Sequence, residues 1–181
     1  MSKQVLFIQG AGDEGYKSDV ALVASLQAAL GEAYDVRYPR LQTDEALPDF
    51  GWLEQIGKEL SAVSGDVILV GHSLGASMLL KFLSEKRITK KIVGIFLIAT
   101  PFWRGNEGWK KGLKLHEDFA DQLPKNIPVF LYHCIDDEEV SFDNLDLYRH
   151  QLTHATFREI SSGGHQFNND LSLVAKDLAS L

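Results

Sequence analysis

The sequence predicts an α/β protein, a three-layer α/β/α sandwich built on a six-stranded, mainly parallel sheet. Three observations carry that prediction. Short apolar runs alternate with helix-period stripes along the whole chain. Several of the runs are continuously apolar, as strands covered on both faces must be. No repeat, low-complexity tract or linker interrupts the alternation, so 181 residues are expected to form one domain, 1–181, around one sheet.

The strand expectations fall at 5–9, 34–38, 67–70, 92–98, 129–133 and 156–160. Between the first two, Val20, Val23, Leu26 and Leu30 recur at helical spacing, and Gly31 stands where a C-terminal cap belongs. Pro48-Asp49 opens a second stripe of Phe50, Leu53, Ile56, Leu60 and Val63. Met78, Leu79, Phe82 and Leu83 form a third, Leu145, Tyr148 and Leu152 a fourth, and Leu171, Val174 and Leu178 the last. One stretch departs from the alternation. Residues 101–124 follow a strand end and contain Phe102, Trp103 and Trp109, the kind of long excursion that serves as a lid or pocket wall.

Composition narrows the function. Hydrophobic residues make up 45% and charged residues 24%, as in ordinary globular proteins. A formal net charge of −7 without a basic run argues against nucleic-acid binding. The N-terminal apolar run is too short for a signal-peptide core or a membrane span, and the single cysteine, Cys134, permits no internal disulfide. A cytoplasmic location is the default expectation.

The chemistry concentrates at Gly71-His72-Ser73-Leu74-Gly75, a G-x-S-x-G segment between an apolar strand and a helical pattern. In that context a sharp turn lifts the serine hydroxyl clear of the sheet, where a base and a substrate both reach it. A hydroxyl is a poor nucleophile without a base, and the base needs an orienting acid. Downstream, strand 129–133 runs into Asp136-Asp137-Glu138-Glu139, and strand 156–160 runs into Gly163-Gly164-His165. Acid and histidine therefore follow the serine in the order such sites use, each past a strand's carboxyl end.

Competing readings of single features are weaker. Gly10-Ala11-Gly12-Asp13-Glu14-Gly15 formally matches a dinucleotide loop, but its two carboxylates stand where pyrophosphate would bind. His150 and His154 are four apart without a third metal ligand, so no metal is expected. His133 reads as structural, and His72 as packing or hydrogen-bonding rather than acting as a base. His116 reads as a surface residue, and Cys134 as a small buried one.

The phrases "FIQGAGD", "VGHSLGA", "HCIDDEEV" and "SGGHQFN" resemble the serine hydrolase family of retinoblastoma-binding protein nine, over essentially the whole chain. The resemblance implies a small α/β-hydrolase fold lacking the first two strands of the full fold. It implies a carboxylesterase-like serine hydrolase with Ser73 as nucleophile, His165 as base and Asp137 as acid, needing no cofactor. Laid on the family's acid segment, Cys134 takes a glycine position and Ser141 a proline position. Asp136 therefore stays open beside Asp137. The amides of Leu74 and Ala11 are the expected oxyanion donors. Trp103 and Trp109 either line a substrate pocket or pin the excursion to the core. The expected partner is a small ester or acyl substrate. The alternative is a catalytically weak or inactive hydrolase-fold protein that acts as a protein-binding module.

Overall fold

The computed structural model describes residues 2–181, without the side chains of residues 12 and 13. Six strands form one sheet: β1 (Lys3–Ile8), β2 (Tyr34–Arg37), β3 (Val67–His72), β4 (Ile92–Ile98), β5 (Val129–Cys134) and β6 (Thr156–Ile160). Their spatial order is β2-β1-β3-β4-β5-β6, and all five pairings are parallel. Every strand thus ends on the same rim. The order reverses between β1 and β3, so the loops leaving those two strands diverge and open a crevice.

Alternate residues of the central strands point into two separate cores. Leu6, Ile8, Val67, Leu69, Ile95 and Leu97 pack on one face with α2 (Trp52–Ala62), α3 (Leu74–Glu85) and α5 (Asp143–Gln151). Val5, Phe7, Ile68, Val70, Phe96 and Ile98 pack on the other with α1 (Gly12–Leu30) and α6 (Ser172–Ala179). Two-sided burial is the reason these strands read as unbroken apolar runs. The short α4 (Phe119–Gln122) lies within the 101–124 excursion and buries Phe119.

The helical stripes hold with local shifts. In α1, Val20 is 51% exposed and Leu22 takes the core position in its place. The second helix begins at Trp52, after a left-handed Gly51, rather than at Pro48-Asp49. Phe50 and Val63 therefore flank it instead of belonging to it, and Trp52, absent from the expected stripe, is fully buried. In α3 almost every residue is buried, including Ser77 and Lys81, because the helix is packed by the sheet, α2 and the excursion together.

Helix α3 can enter the crevice only because residue 75 lacks a side chain. A Cβ at Gly75 would lie 2.2 Å from the Gln9 carbonyl oxygen and 2.5 Å from that of Ile8. Both are main-chain atoms, one at the end of β1 and one just past it, and cannot swing aside. Gly75→Ala is expected to cost about 1–3 kcal/mol by overpacking. Thermal unfolding checks this, and an unchanged midpoint would contradict the close approach.

Candidate active site

Ser73 joins β3 to α3 with φ 52° and ψ −124°, a conformation that costs a non-glycine residue strain. Neighbouring structure holds it there. The Ser73 N–H donates to Ile98 O at 2.8 Å, and Ser73 O accepts from Ala76 N at 3.0 Å. The residue is half-buried. The loop after β1 faces it closely, since a Cβ at Gly10 would lie 3.6 Å from Ser73 Cβ.

The two downstream loops lock together through the four consecutive acidic residues. Both carboxylate oxygens of Asp137 lie 3.0 Å from His165 Nδ1. The Asp137 side chain is fully shielded from solvent and that of His165 is 3% exposed. Asp137 Oδ1 also accepts the N–H groups of Glu139 and Val140, at 2.9 and 2.8 Å. His133 Nε2 lies 3.3 Å from Asp137 Oδ2 and 2.8 Å from the Val140 carbonyl. Asp136 performs a different task. It accepts the N–H groups of Gly163 and Gly164 and so ties down the histidine loop. Glu138 accepts the His165 N–H at 3.0 Å. Glu139, 66% exposed, reaches within 3.6 Å of His165 Nε2.

These contacts set the protonation chemistry. Burial penalises the Asp137 carboxylate, but hydrogen bonds from His133, His165 and the Val140 amide outweigh it and hold its pKa well below the usual range. Burial also penalises a charged His165. The hydrogen bond and charge of Asp137, with Glu139 and Asp19 adding, raise its pKa nonetheless. Cys134 is buried, and burial together with the Asp136, Asp137 and Glu138 charges pushes its thiol up to about 12, so it is a poor nucleophile at neutral pH.

The sequence did not single out Asp19, Gln166 or Glu138, and it gave His133 no contact with the acid. Asp19 lies mid-helix without a motif around it, and only the fold carries it to the Gly10 loop, where its Oδ2 accepts the Gly10 N–H at 2.8 Å. That bond commits the Gly10 amide, and Ala11 follows it as the N-cap of α1. The glycine pattern behind the dinucleotide reading has a packing reason of its own, since a Cβ at Gly15 would fall 2.5 Å from the Gly10 carbonyl carbon. The Asp13 side chain, which entered that reading, lies outside the described residues.

The excursion is pinned along its length. Phe102 N–H donates to Asn144 Oδ1, the Tyr148 hydroxyl to Pro101 O and Lys81 Nζ to Lys114 O. Trp103 Nε1–H donates to Ser77 Oγ at 3.0 Å, one turn into α3. Trp109 is 58% exposed and stands edge-on to Trp103 with ring centroids 5.8 Å apart. With Leu47, Pro48 and Phe50 it borders a concavity of about 530 Å³. The first tryptophan thus pins the excursion, and the second borders open space. Among the described residues no cluster of three His, Cys, Asp or Glu side chains is placed to hold a metal, and no helix is long and apolar enough to cross a membrane.

Comparisons with known proteins bear on the family and the fold. The family model described as serine hydrolase matches residues 24–172. No curated protein matches the sequence. Among solved structures, the ydeN gene product of B. subtilis is similar at 20% identity and TM-score 0.68, covering 99% of this chain and 98% of its own. Est1E from Butyrivibrio proteoclasticus is similar at 17% identity and TM-score 0.73, covering 99% and 86%. The esterase domain of a Rhodothermus marinus protein is similar at 16% identity and TM-score 0.68, covering 98% and 85%. At these identities the structures establish a shared α/β-hydrolase fold, and the family match covers well over half of the sequence. The chain belongs to the serine hydrolase family.

Proposed function

We propose that the chain is a carboxylesterase that cleaves small esters through an acyl-enzyme, with Ser73, His165 and Asp137 as its triad. One observation carries the reading. A solvent-shielded carboxylate grips Nδ1 of a buried histidine, on the rim where a strained, half-buried serine stands. Asp137 keeps the proton of the resting imidazole on Nδ1, which leaves the Nε2 lone pair to accept from Ser73.

The Ser73 oxygen attacks the ester carbonyl carbon as His165 Nε2 takes the hydroxyl proton, and the carbonyl π pair moves onto oxygen. The amides of Leu74 and Ala11 stabilise that oxyanion, each worth a few kcal/mol. Collapse re-forms the carbonyl and breaks the bond to the alcohol, which leaves with the proton from Nε2. Water then adds to the acyl-enzyme with His165 again as base, releasing the acid and restoring Ser73. The 101–124 excursion, held to α3 through Trp103, is a fixed wall, whereas the concavity that Trp109 borders has none of Ser73, Asp137 or His165 in its lining. No cofactor enters the scheme. The sole cysteine, buried and unpaired, suits a cytoplasmic setting.

Ser73→Ala is expected to lower hydrolysis of a short p-nitrophenyl ester by at least about 10⁴-fold. Retained turnover would remove Ser73 from the mechanism. A formed site that turns over no ester in a panel graded by acyl length would favour the protein-binding alternative. Asp137→Asn should reduce kcat by about 10⁴-fold. Asp136→Asn keeps an oxygen that accepts from Gly163 and Gly164 and should cost about 10-fold or less, by the scale of one neutral-for-charged hydrogen bond. The reverse ranking would exchange the two roles.

The pH profile offers a separate check. His165 works as a base only when neutral, and its pKa is raised. The acid limb of kcat/KM should therefore lie above the ordinary histidine value. Removing the Glu139 charge with Glu139→Gln takes away one raising influence and should move that limb to lower pH, by less at high salt because the side chain is exposed. A limb that stays in place, or moves upward, would contradict the Glu139 contact.

A further inference from the structure

Beneath Ser73 lies a second Asp–His couple that the acylation scheme does not use. Asp19 is 0% exposed and His72 is 1% exposed, with Oδ1 and Nδ1 2.8 Å apart. The carboxylate oxygen stands off the axis of an aligned ring N–H, so Nδ1 has close charge contact but no well-directed hydrogen bond. On the far side of the ring, His72 Nε2 lies 3.0 Å from the His165 carbonyl oxygen. A carbonyl only accepts, so Nε2 carries a proton. Nδ1 therefore faces the Asp19 carboxylate as a close, buried polar pair at 2.8 Å.

Burying such a couple costs several kcal/mol of desolvation unless each polar atom is used. Here the atoms reach three parts of the site. Asp19 Oδ2 accepts the Gly10 N–H at 2.8 Å, and Gln166 Nε2 approaches Oδ1 at 3.3 Å. His72 holds the His165 carbonyl, while Glu138 holds the His165 N–H on the other side. The nucleophile's own neighbour therefore links the oxyanion loop to the backbone of the base.

We propose that Asp19 is a positioning residue for the hydrolytic reaction. By fixing the Gly10 peptide it aims the Ala11 amide at the oxyanion, and through His72 it sets the depth of His165. The inference rests on the esterase reading. Wild-type turnover of a neutral p-nitrophenyl ester tests that reading on its own.

Two substitutions separate geometry from simple packing. In Asp19→Asn the amide oxygen can accept from Gly10 while its NH₂ faces His72 Nδ1. Gln166 Oε1, which has no hydrogen-bond partner among the described residues, can turn to accept the remaining N–H. Asp19→Asn should therefore keep kcat within about 3-fold of wild type, the scale of a neutral hydrogen bond replaced by another. Asp19→Ala frees the Gly10 loop and should lower kcat about 100-fold per folded molecule, as loss of an oxyanion donor does, with KM changed by less than about 3-fold. Unchanged kcat in Asp19→Ala, an equal fall in both variants, or a loss confined to KM or to thermal stability would overturn the proposal. If Asp19→Ala does not fold, amide hydrogen exchange of the wild-type protein decides. Gly10 should be strongly protected, and exchange at the rate of an open loop would overturn it.

Discussion

Two carboxylates placed out of water govern this molecule. Asp137 and Asp19 both have side chains at 0% exposure, and each must recover through local contacts what it loses in hydration. The groups that compensate them are the residues of the proposed site. Asp137 is met by His165, His133 and two backbone amides, and Asp19 by Gly10, His72 and Gln166. Satisfying the acids and arranging the chemistry are one constraint. The parallel sheet makes this possible by delivering the loops after β1, β3, β5 and β6 to one rim.

The same logic accounts for the run of four acidic residues after β5. In a chain of net charge −7, four adjacent carboxylates would repel one another if left in solution. Three are instead spent on the histidine loop, through the amides of Gly163 and Gly164, the imidazole and the amide of His165. The fourth, Glu139, lies near Nε2 and contributes its charge to holding the His165 pKa up.

The sheet was legible in the sequence because two-sided burial writes itself as continuous apolar runs, and the strands at 92–98 and 156–160 have the expected bounds. Helix starts were less legible. Pro48-Asp49 carries the local signals of an N-terminus, yet the turn at Gly51 delays the helix so that Trp52 can enter the core. Ser73 and His165 stood out as candidates because tight turns at strand ends leave glycine-rich phrases. Which of Asp136 and Asp137 faces His165 needed geometry, since neighbours in a loop differ only in the direction their side chains take. Asp19 was illegible for a deeper reason. A lone acid within a helix resembles any solvated residue until the fold sets it against His72, far along the chain.

Covalent chemistry at residue 73 is checked by treating the wild-type protein with a fluorophosphonate and mapping the adduct by mass spectrometry. One phosphonyl group per chain is expected, on the peptide containing Ser73. An adduct on another residue, or none under conditions where the protein hydrolyses esters, would contradict it.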